Sequence, residues 1–177
     1  MTWTIRDLDR KRDRKAVEAI DTSFETTSVF DVEASARSVQ LVERVLDAPI
    51  TKRYFIDEVF ASWASWEVGW VADDGDVRGF ATVEYEGWNQ RLNLWFLYIA
   101  PAWRRRGVGR ALIERAEAHG RRIGATHLWL ETSSANVPGV RAYERLGFSL
   151  CGVDTTYYGR YMPGETAIFL SKALPAR

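Results

Sequence analysis

Ile99-Ala100-Pro101-Ala102-Trp103-Arg104-Arg105-Arg106-Gly107-Val108-Gly109-Arg110-Ala111-Leu112-Ile113-Glu114 is the stretch that decides the fold. It reads as the end of a strand, a tight turn and the start of a helix. Glycines at 107 and 109 let the backbone turn without a Cβ clash, and the first N–H groups of the helix then have no intrahelical acceptor. Donors grouped in this way want an anion. The helix dipole adds about half a positive charge at that end, and Arg104, Arg105, Arg106 and Arg110 add full ones, so a pyrophosphate suits the place.

Two common phosphate motifs do not fit. A P-loop needs a glycine, four residues and then Gly-Lys-Ser/Thr, and a dinucleotide fingerprint needs Gly-x-Gly-x-x-Gly after the first strand of a βαβ unit. The pattern present is Arg-x-x-Gly-x-Gly at 104–109, opening a helix after a strand closed by proline. It resembles the acetyl-CoA pyrophosphate loop of the GNAT superfamily of N-acetyltransferases. A plain turn with a solvated basic face is the competing reading, and a second motif weighs against it.

That motif is Asn136-Val137-Pro138-Gly139-Val140-Arg141-Ala142-Tyr143-Glu144-Arg145-Leu146-Gly147-Phe148, which follows the apolar run Leu128-Trp129-Leu130. Pro138 suits the first turn of a helix, where its missing N–H costs nothing. Gly147 suits the left-handed position just past the end, with Phe148 packing back. This is similar to the second half-site of the same superfamily. The resemblance implies that Asn136 contacts the pantetheine arm, and that Tyr143 lies by the thioester sulfur as proton donor to the leaving thiolate. Taken alone, Tyr143 would read as a core tyrosine on an amphipathic helix.

Composition agrees with one enzyme domain over 1–177, a length that gives a single full core at 46% hydrophobic residues. The 24 basic and 24 acidic residues cancel, so the arginine clusters are local and a nucleic-acid partner is disfavoured. Cys151 is the only cysteine and His119 and His127 the only histidines, so we expect no disulfide and no metal. Met1–Asp7 has no apolar signal core and no stretch approaches the length of a membrane span, which points to a cytoplasmic protein that does not enter a membrane. A homodimer is left open.

Periodicity supplies the element order. A short strand is expected over 2–6, and Ala16, Val17, Ala19, Ile20 and Phe24 recur at helical spacing over 12–24. Val29–Glu33 and Val39–Val45 alternate around Ser35-Ala36-Arg37-Ser38, a hairpin-like excursion near 28–50 that Pro49 closes; a helix remains open for its second run. A short helix is expected within 57–66. Strands over 67–72 and 77–85 flank the turn Asp73-Asp74-Gly75-Asp76, and another strand runs over 92–100 after Gly87-Trp88-Asn89. Val108, Leu112, Ala116 and Ile123 form the apolar stripe of a helix that stops at Gly124. A strand over 126–133, the Tyr143 helix, a strand from Phe148 and a last strand near 167–170 complete an α+β order. The resemblance implies a mixed, mostly antiparallel central sheet of about six to seven strands flanked by helices and splayed between the fourth and fifth core strands.

The superfamily resemblance covers roughly residues 67–171. Within it, Gly87-Trp88-Asn89, Leu128-Trp129-Leu130-Glu131 and Phe148-Ser149-Leu150-Cys151-Gly152-Val153-Asp154, together with Val29-Phe30 and Ile50-Thr51-Lys52, resemble streptothricin acetyltransferases, which acetylate an amine of a cationic antibiotic. Those relatives usually carry an acidic pair on the strand before the loop, where this chain has Trp95-Phe96.

The implied reaction is direct transfer of acetyl from acetyl-CoA, a cosubstrate, to a primary amine of a small molecule. Backbone groups of Leu97, Tyr98 and Ile99 would hold the pantetheine amides, and Arg104–Arg110, with Val108 between the two glycines, would hold the pyrophosphate. An alkyl ammonium titrates near 10.4 and must lose a proton before it attacks, so a base is required. Glu131 ranks first, ahead of Glu84, Glu86 and Asp154; its competing role is a structural strand carboxylate. Trp63, Trp66, Trp88, Trp95, Phe96 and Tyr98 lie in segments that would line an acceptor cleft, or else serve the core. Two other functions stay in view: a non-catalytic acyl-CoA sensor that lost its base, and a streptothricin resistance enzyme.

Overall fold

The computed structural model describes residues 3–175. In chain order these form β1 (Thr4–Asp7), α1 (Arg14–Glu18), β2 (Phe24–Ala34), β3 (Val39–Lys52), a 3₁₀ turn (Asp57–Phe60), β4 (Val68–Asp73), β5 (Val77–Glu86) and β6 (Arg91–Ile99). A 3₁₀ turn (Pro101–Trp103), α2 (Val108–Ile123), β7 (His127–Ser133), α3 (Val137–Arg145), β8 (Ser149–Asp154) and β9 (Ala167–Ala173) follow. The architecture is the expected α+β one, with a seven-stranded, mostly antiparallel sheet. The chain forms two compact units: residues up to Ser23, Arg53–Trp129 and from Ala173 on make one, Phe24–Lys52 and Leu130–Lys172 the other. No helix among the described residues is long and apolar enough to cross a membrane.

In the first unit the sheet runs β1-β4-β5-β6, with β7 starting beside β6. The β4–β5 hairpin closes where Gly75 takes φ 108° and its N–H donates to Asp73 Oδ1 at 2.7 Å, a turn that Asp-Asp-Gly-Asp is built to make. One face of these strands is covered by Val17, Ile20, Val59, Ala64 and Trp66, packed on Val71, Val77 and Phe80. On the other lies α2, burying Val108, Leu112, Ile113 and Ala116. Gly120 lets the helix approach: a Cβ there would stand 2.7 Å from Leu174 and 3.2 Å from Leu92. The helix ends at Gly124, φ 82°, as its sequence requires. Thr126 N–H then donates to the Gln90 carbonyl at 2.8 Å and starts β7 level with β6. Arg6 bridges buried Asp13 and Asp73, each at 2.6 Å, tying β1 to its surroundings.

In the second unit β2 and β3 form a long antiparallel hairpin, while the later part of β7 borders β9, which pairs with β8. The core here is Leu130, Val137, Val140, Phe148, Ile168 and Leu170.

Three expectations need correction. The helix expected over 12–24 spans only Arg14–Glu18, and Phe24 opens β2 opposite Lys52. Thr22 Oγ donates to the Tyr54 carbonyl at 2.7 Å, which draws the chain out of the helix and into the hairpin. Pro49 does not close the excursion. The register jumps from Ser28↔Val45 to Thr26↔Ile50, so Leu46–Pro49 bulge out of β3, where a proline costs no ladder bond, and the strand resumes to Lys52. The run 39–45 is strand, and 57–66 holds only the 3₁₀ turn Asp57–Phe60. The strand expected over 2–6 is β1; residue 2 lies outside the described residues.

Candidate active site

The first unit holds the loop expected to cradle an anion. After β6, Trp103 N–H and Arg104 N–H return to the Ala100 and Pro101 carbonyls at 2.8 and 3.2 Å, and buried Trp103 anchors the turn. Arg105 then adopts φ 60° and Gly107 φ 85°. Two left-handed residues this close turn the backbone sharply, a conformation costing roughly 1–2 kcal/mol at a non-glycine residue. The N-terminus of α2 begins at Val108 with no side-chain cap and no acidic residue in its first turn. Nothing lies within 4 Å of where a Gly107 Cβ would be, and only Ile99 Cγ1, at 3.9 Å, for Gly109. The space above the loop is open.

The four arginines divide their labour. Arg104 is turned back: its Nε donates to the Ile99 carbonyl at 3.0 Å and its Nη2 to the Asp21 carbonyl at 3.4 Å. Burial lowers its pKa from the ordinary range. It shapes the loop, and it already occupies one of the β6 backbone groups expected to meet pantetheine. Arg106 stands over the Trp103 ring at 5.5 Å. Arg105, Arg106 and Arg110 are exposed around the cradle.

Just before the loop, β6 carries a bulge. Leu94 pairs with Val83 and Phe96 with Thr82, which leaves Trp95 as an extra residue. One extra residue shifts the side-chain alternation. Leu92 and Ile99 thus both reach α2, beside Gly120 and Gly109, while Trp95, Phe96 and Tyr98 gather together, with successive ring centroids 6.2 and 6.4 Å apart. The Trp95 indole donates to Glu84 at 2.7 Å, and Trp63 leans on Trp95 at 6.3 Å. Of the other tryptophans expected near a cleft, Trp66 is core, its Nε1 donating to the Val59 carbonyl at 2.6 Å, and Trp88 stands 87% exposed at a turn.

The second unit holds the residues expected to act as acid and base. Asn136 caps α3: its Oδ1 accepts from Gly139 N–H at 3.1 Å, and its Nδ2 donates to Thr132 Oγ1 at 2.9 Å. Gly139 makes the cap fit, because a Cβ there would fall 2.3 Å from the Asn136 amide. The side chain expected on the pantetheine arm therefore spends two of its polar groups on the helix start. Further along α3, the Tyr143 ring meets Phe148 edge-on at 5.6 Å, and Phe148 N–H returns to the Tyr143 carbonyl at 3.1 Å around Gly147, φ 90°. Burial, with the negative charge of Glu131 adding to it, pushes the Tyr143 phenol above its ordinary value. Burial also raises the Glu131 carboxyl, against a hydrogen bond from the Tyr158 hydroxyl that lowers it.

Two groups in this unit escaped the sequence reading. Tyr158, on the β8–β9 loop, holds Glu131; Glu165, on the same loop, accepts from Lys52 and Ser133. Ser133 Oγ also accepts from Ala135 N–H at 3.0 Å, so Glu165 braces the turn into α3. Separations of 27 and 32 residues leave no local signal for either bond. His119 accepts from Arg122 at 2.8 Å and packs edge-on to Trp70 on the middle of α2; burial and nearby arginines lower its pKa. His127 meets Thr126 Oγ1 at 3.1 Å. Asp154 is occupied by its own turn, accepting from Thr156 N–H at 2.7 Å, and Glu86 accepts from Asn89 and Asn93, each at 2.7 Å.

Known proteins resemble this chain in sequence and fold. A model of the acetyltransferase (GNAT) family matches residues 36–148. A streptothricin acetyltransferase of Streptomyces lavendulae is 38% identical over 176 residues, covering 94% of this chain and 93% of that protein. The crystal structure of a nourseothricin acetyltransferase superposes with a TM-score of 0.88 at 40% identity, covering 99% of this chain and all of that one. A putative streptothricin acetyltransferase from Bacillus anthracis, solved with acetyl coenzyme A, shares the fold at a TM-score of 0.81 and 22% identity, covering 97% of this chain and 99% of its own.

Proposed function

The chain belongs to the GNAT family of acetyltransferases, and from that premise we propose that it moves acetyl from acetyl-CoA to a primary amine of a small molecule by direct attack, as one catalytic domain. The observation that carries the reading is the uncapped start of α2 behind left-handed Arg105 and Gly107, a cradle with donors and no occupant of its own. Arg105, Arg106, Arg110 and the N–H groups from Gly107 to Gly109 take the pyrophosphate, with Arg104 holding the loop in shape. The backbone of Leu97–Ile99 takes the pantetheine arm. Since acetyl-CoA is a cytoplasmic metabolite, we assign the protein to that compartment.

In the transfer step the neutral amine nitrogen attacks the thioester carbonyl. The C–N bond forms, the C–S bond breaks, and the leaving thiolate takes the proton of Tyr143. The proton lost by the nitrogen passes to Glu131. A phenol whose pKa is raised stays protonated across neutral pH, as an acid must, and a carboxyl raised toward neutrality is a better base than one at its ordinary value. A sensor needs neither group, so this pair favours the enzyme over a non-catalytic acyl-CoA-binding module. The second reading, streptothricin as acceptor, rests on whole-chain identity of 38–40% with proteins that carry that name or a related one. Thiol release from acetyl-CoA, followed over a panel of small amines that includes streptothricin, tests both. Turnover with at least one amine and a product heavier by one acetyl group is expected; binding of acetyl-CoA without thiol release would leave the sensor.

A further inference from the structure

The bulge at Trp95 builds something the transfer step itself does not require. By shifting the alternation of β6 it sets Trp95, Phe96 and Tyr98 side by side, where regular pairing would have turned one toward α2. The row continues at both ends: Trp63 lies 6.3 Å from Trp95 with planes 39° apart, and Tyr54 lies 6.2 Å from Tyr98 at 40°. Trp63 is 56% exposed, a large surface for an aromatic residue to leave in water beside a ring it already touches. Trp95 is held at the bulge by its hydrogen bond to Glu84, so the wall is pre-organised.

We propose that this aromatic row is the acceptor subsite, and that it takes a primary amine carried on a short linker from a flat aromatic body, which stacks on Trp63 and Trp95. The inference rests on the transferase reading above, because it assumes that the strand meeting the acetyl group also meets the acceptor. Rings offer contact area and stacking but only a weak, diffuse attraction for charge. A polycation therefore gains little here. Packing an ammonium against apolar rings also disfavours its charged form, which eases loss of the proton that blocks attack.

The test compares 2-phenylethylamine with spermidine at saturating acetyl-CoA, in wild type and in Trp63→Ala. Trp63 is exposed, so its removal spares the core. We expect kcat/KM for 2-phenylethylamine to exceed that for spermidine at least tenfold in wild type, and that ratio to fall about tenfold in Trp63→Ala. Equal values for the two amines, or a ratio unmoved by the variant, overturns the inference and leaves the transferase standing. Saturation-transfer NMR of 2-phenylethylamine with the acetyl-CoA-loaded protein separates the other failure. Binding that Trp63→Ala weakens, with no thiol released by any amine, keeps the subsite and removes the transferase; no binding and no turnover removes the subsite.

Discussion

Tyr143 holds a proton that its surroundings will not let go: desolvation of the phenol raises its pKa, and Glu131 adds negative charge. Tyr143→Phe deletes only the hydroxyl and keeps the edge-on contact with Phe148. The expected result is a fall in kcat of roughly 10²-fold with acetyl-CoA affinity almost unchanged, read by single-turnover thiol release. Full turnover would return Tyr143 to the core. Glu131 makes a separate claim on stability. Its folded pKa is raised, so the folded state binds that proton more tightly than the unfolded chain. The resulting stabilisation is complete below the ordinary value of 4.5 and is lost as pH rises through the folded value. Above that, the ionised carboxylate costs stability. Glu131→Gln stays neutral and can still accept from Tyr158. It should therefore raise Tm at pH 7–8 and leave it unchanged near pH 4, while kcat falls. A Tm gain of the same size at both pH values would mean that ionisation is not the cause. Tyr143 and Glu131 were both proposed from the sequence, one from its motif and one from the chemistry an amine demands. Tyr158 and Glu165 were not, because a residue that acts across 27 or 32 positions leaves no mark on its neighbours.

Elements were readable where their ends are written locally. The α2 boundaries follow from Gly107 and Gly124, and those of α3 from Asn136, Pro138 and Gly147. The α1 boundary failed because no cap marks its end; a side-chain bond to Tyr54, 32 residues away, decides where the chain leaves the helix. The two bulges, at Leu46–Pro49 and at Trp95, failed for a related reason. A bulge is a property of register between two strands, and neither strand alone encodes it. The α3 cap offers a direct test. Gly139→Ala places a Cβ 2.3 Å from the Asn136 amide, so the cap must open. Loss of an N-cap costs about 0.5–2 kcal/mol, or roughly 1–8 °C in Tm for a chain of this size. Because α3 also carries Tyr143, kcat should fall with Tm, whereas a cap of purely structural importance would lower Tm alone. Circular dichroism melts paired with steady-state rates distinguish the two.

Across the whole molecule, 24 basic and 24 acidic residues cancel, so any attraction for a highly charged cosubstrate has to come from one place. The loop at 104–110 is the place we propose, and binding there would stabilise the folded chain by mass action. Acetyl-CoA at 100 times its Kd should contribute about 2.7 kcal/mol, which at roughly 2–4 °C per kcal/mol raises Tm by about 5–11 °C. Acetyl-pantetheine, which keeps the thioester and the arm but has no pyrophosphate, should give little shift at the same concentration. Gly107→Val separates the loop from the rest. The residue sits at φ 85° with open space where its Cβ would go, so valine meets no protein atom but pays for a left-handed backbone and projects into the room a phosphate would occupy. The variant should lose about 2–8 °C from its own strain and nearly all of the acetyl-CoA shift. Screening adds a third arm: raising salt from about 0.05 to 0.5 M shortens the reach of exposed Arg105, Arg106 and Arg110 and should reduce the wild-type shift while leaving the response to acetyl-pantetheine unchanged. Equal shifts for the two thioesters, or an undiminished acetyl-CoA shift in Gly107→Val, would mean that the loop is not what reads the cofactor.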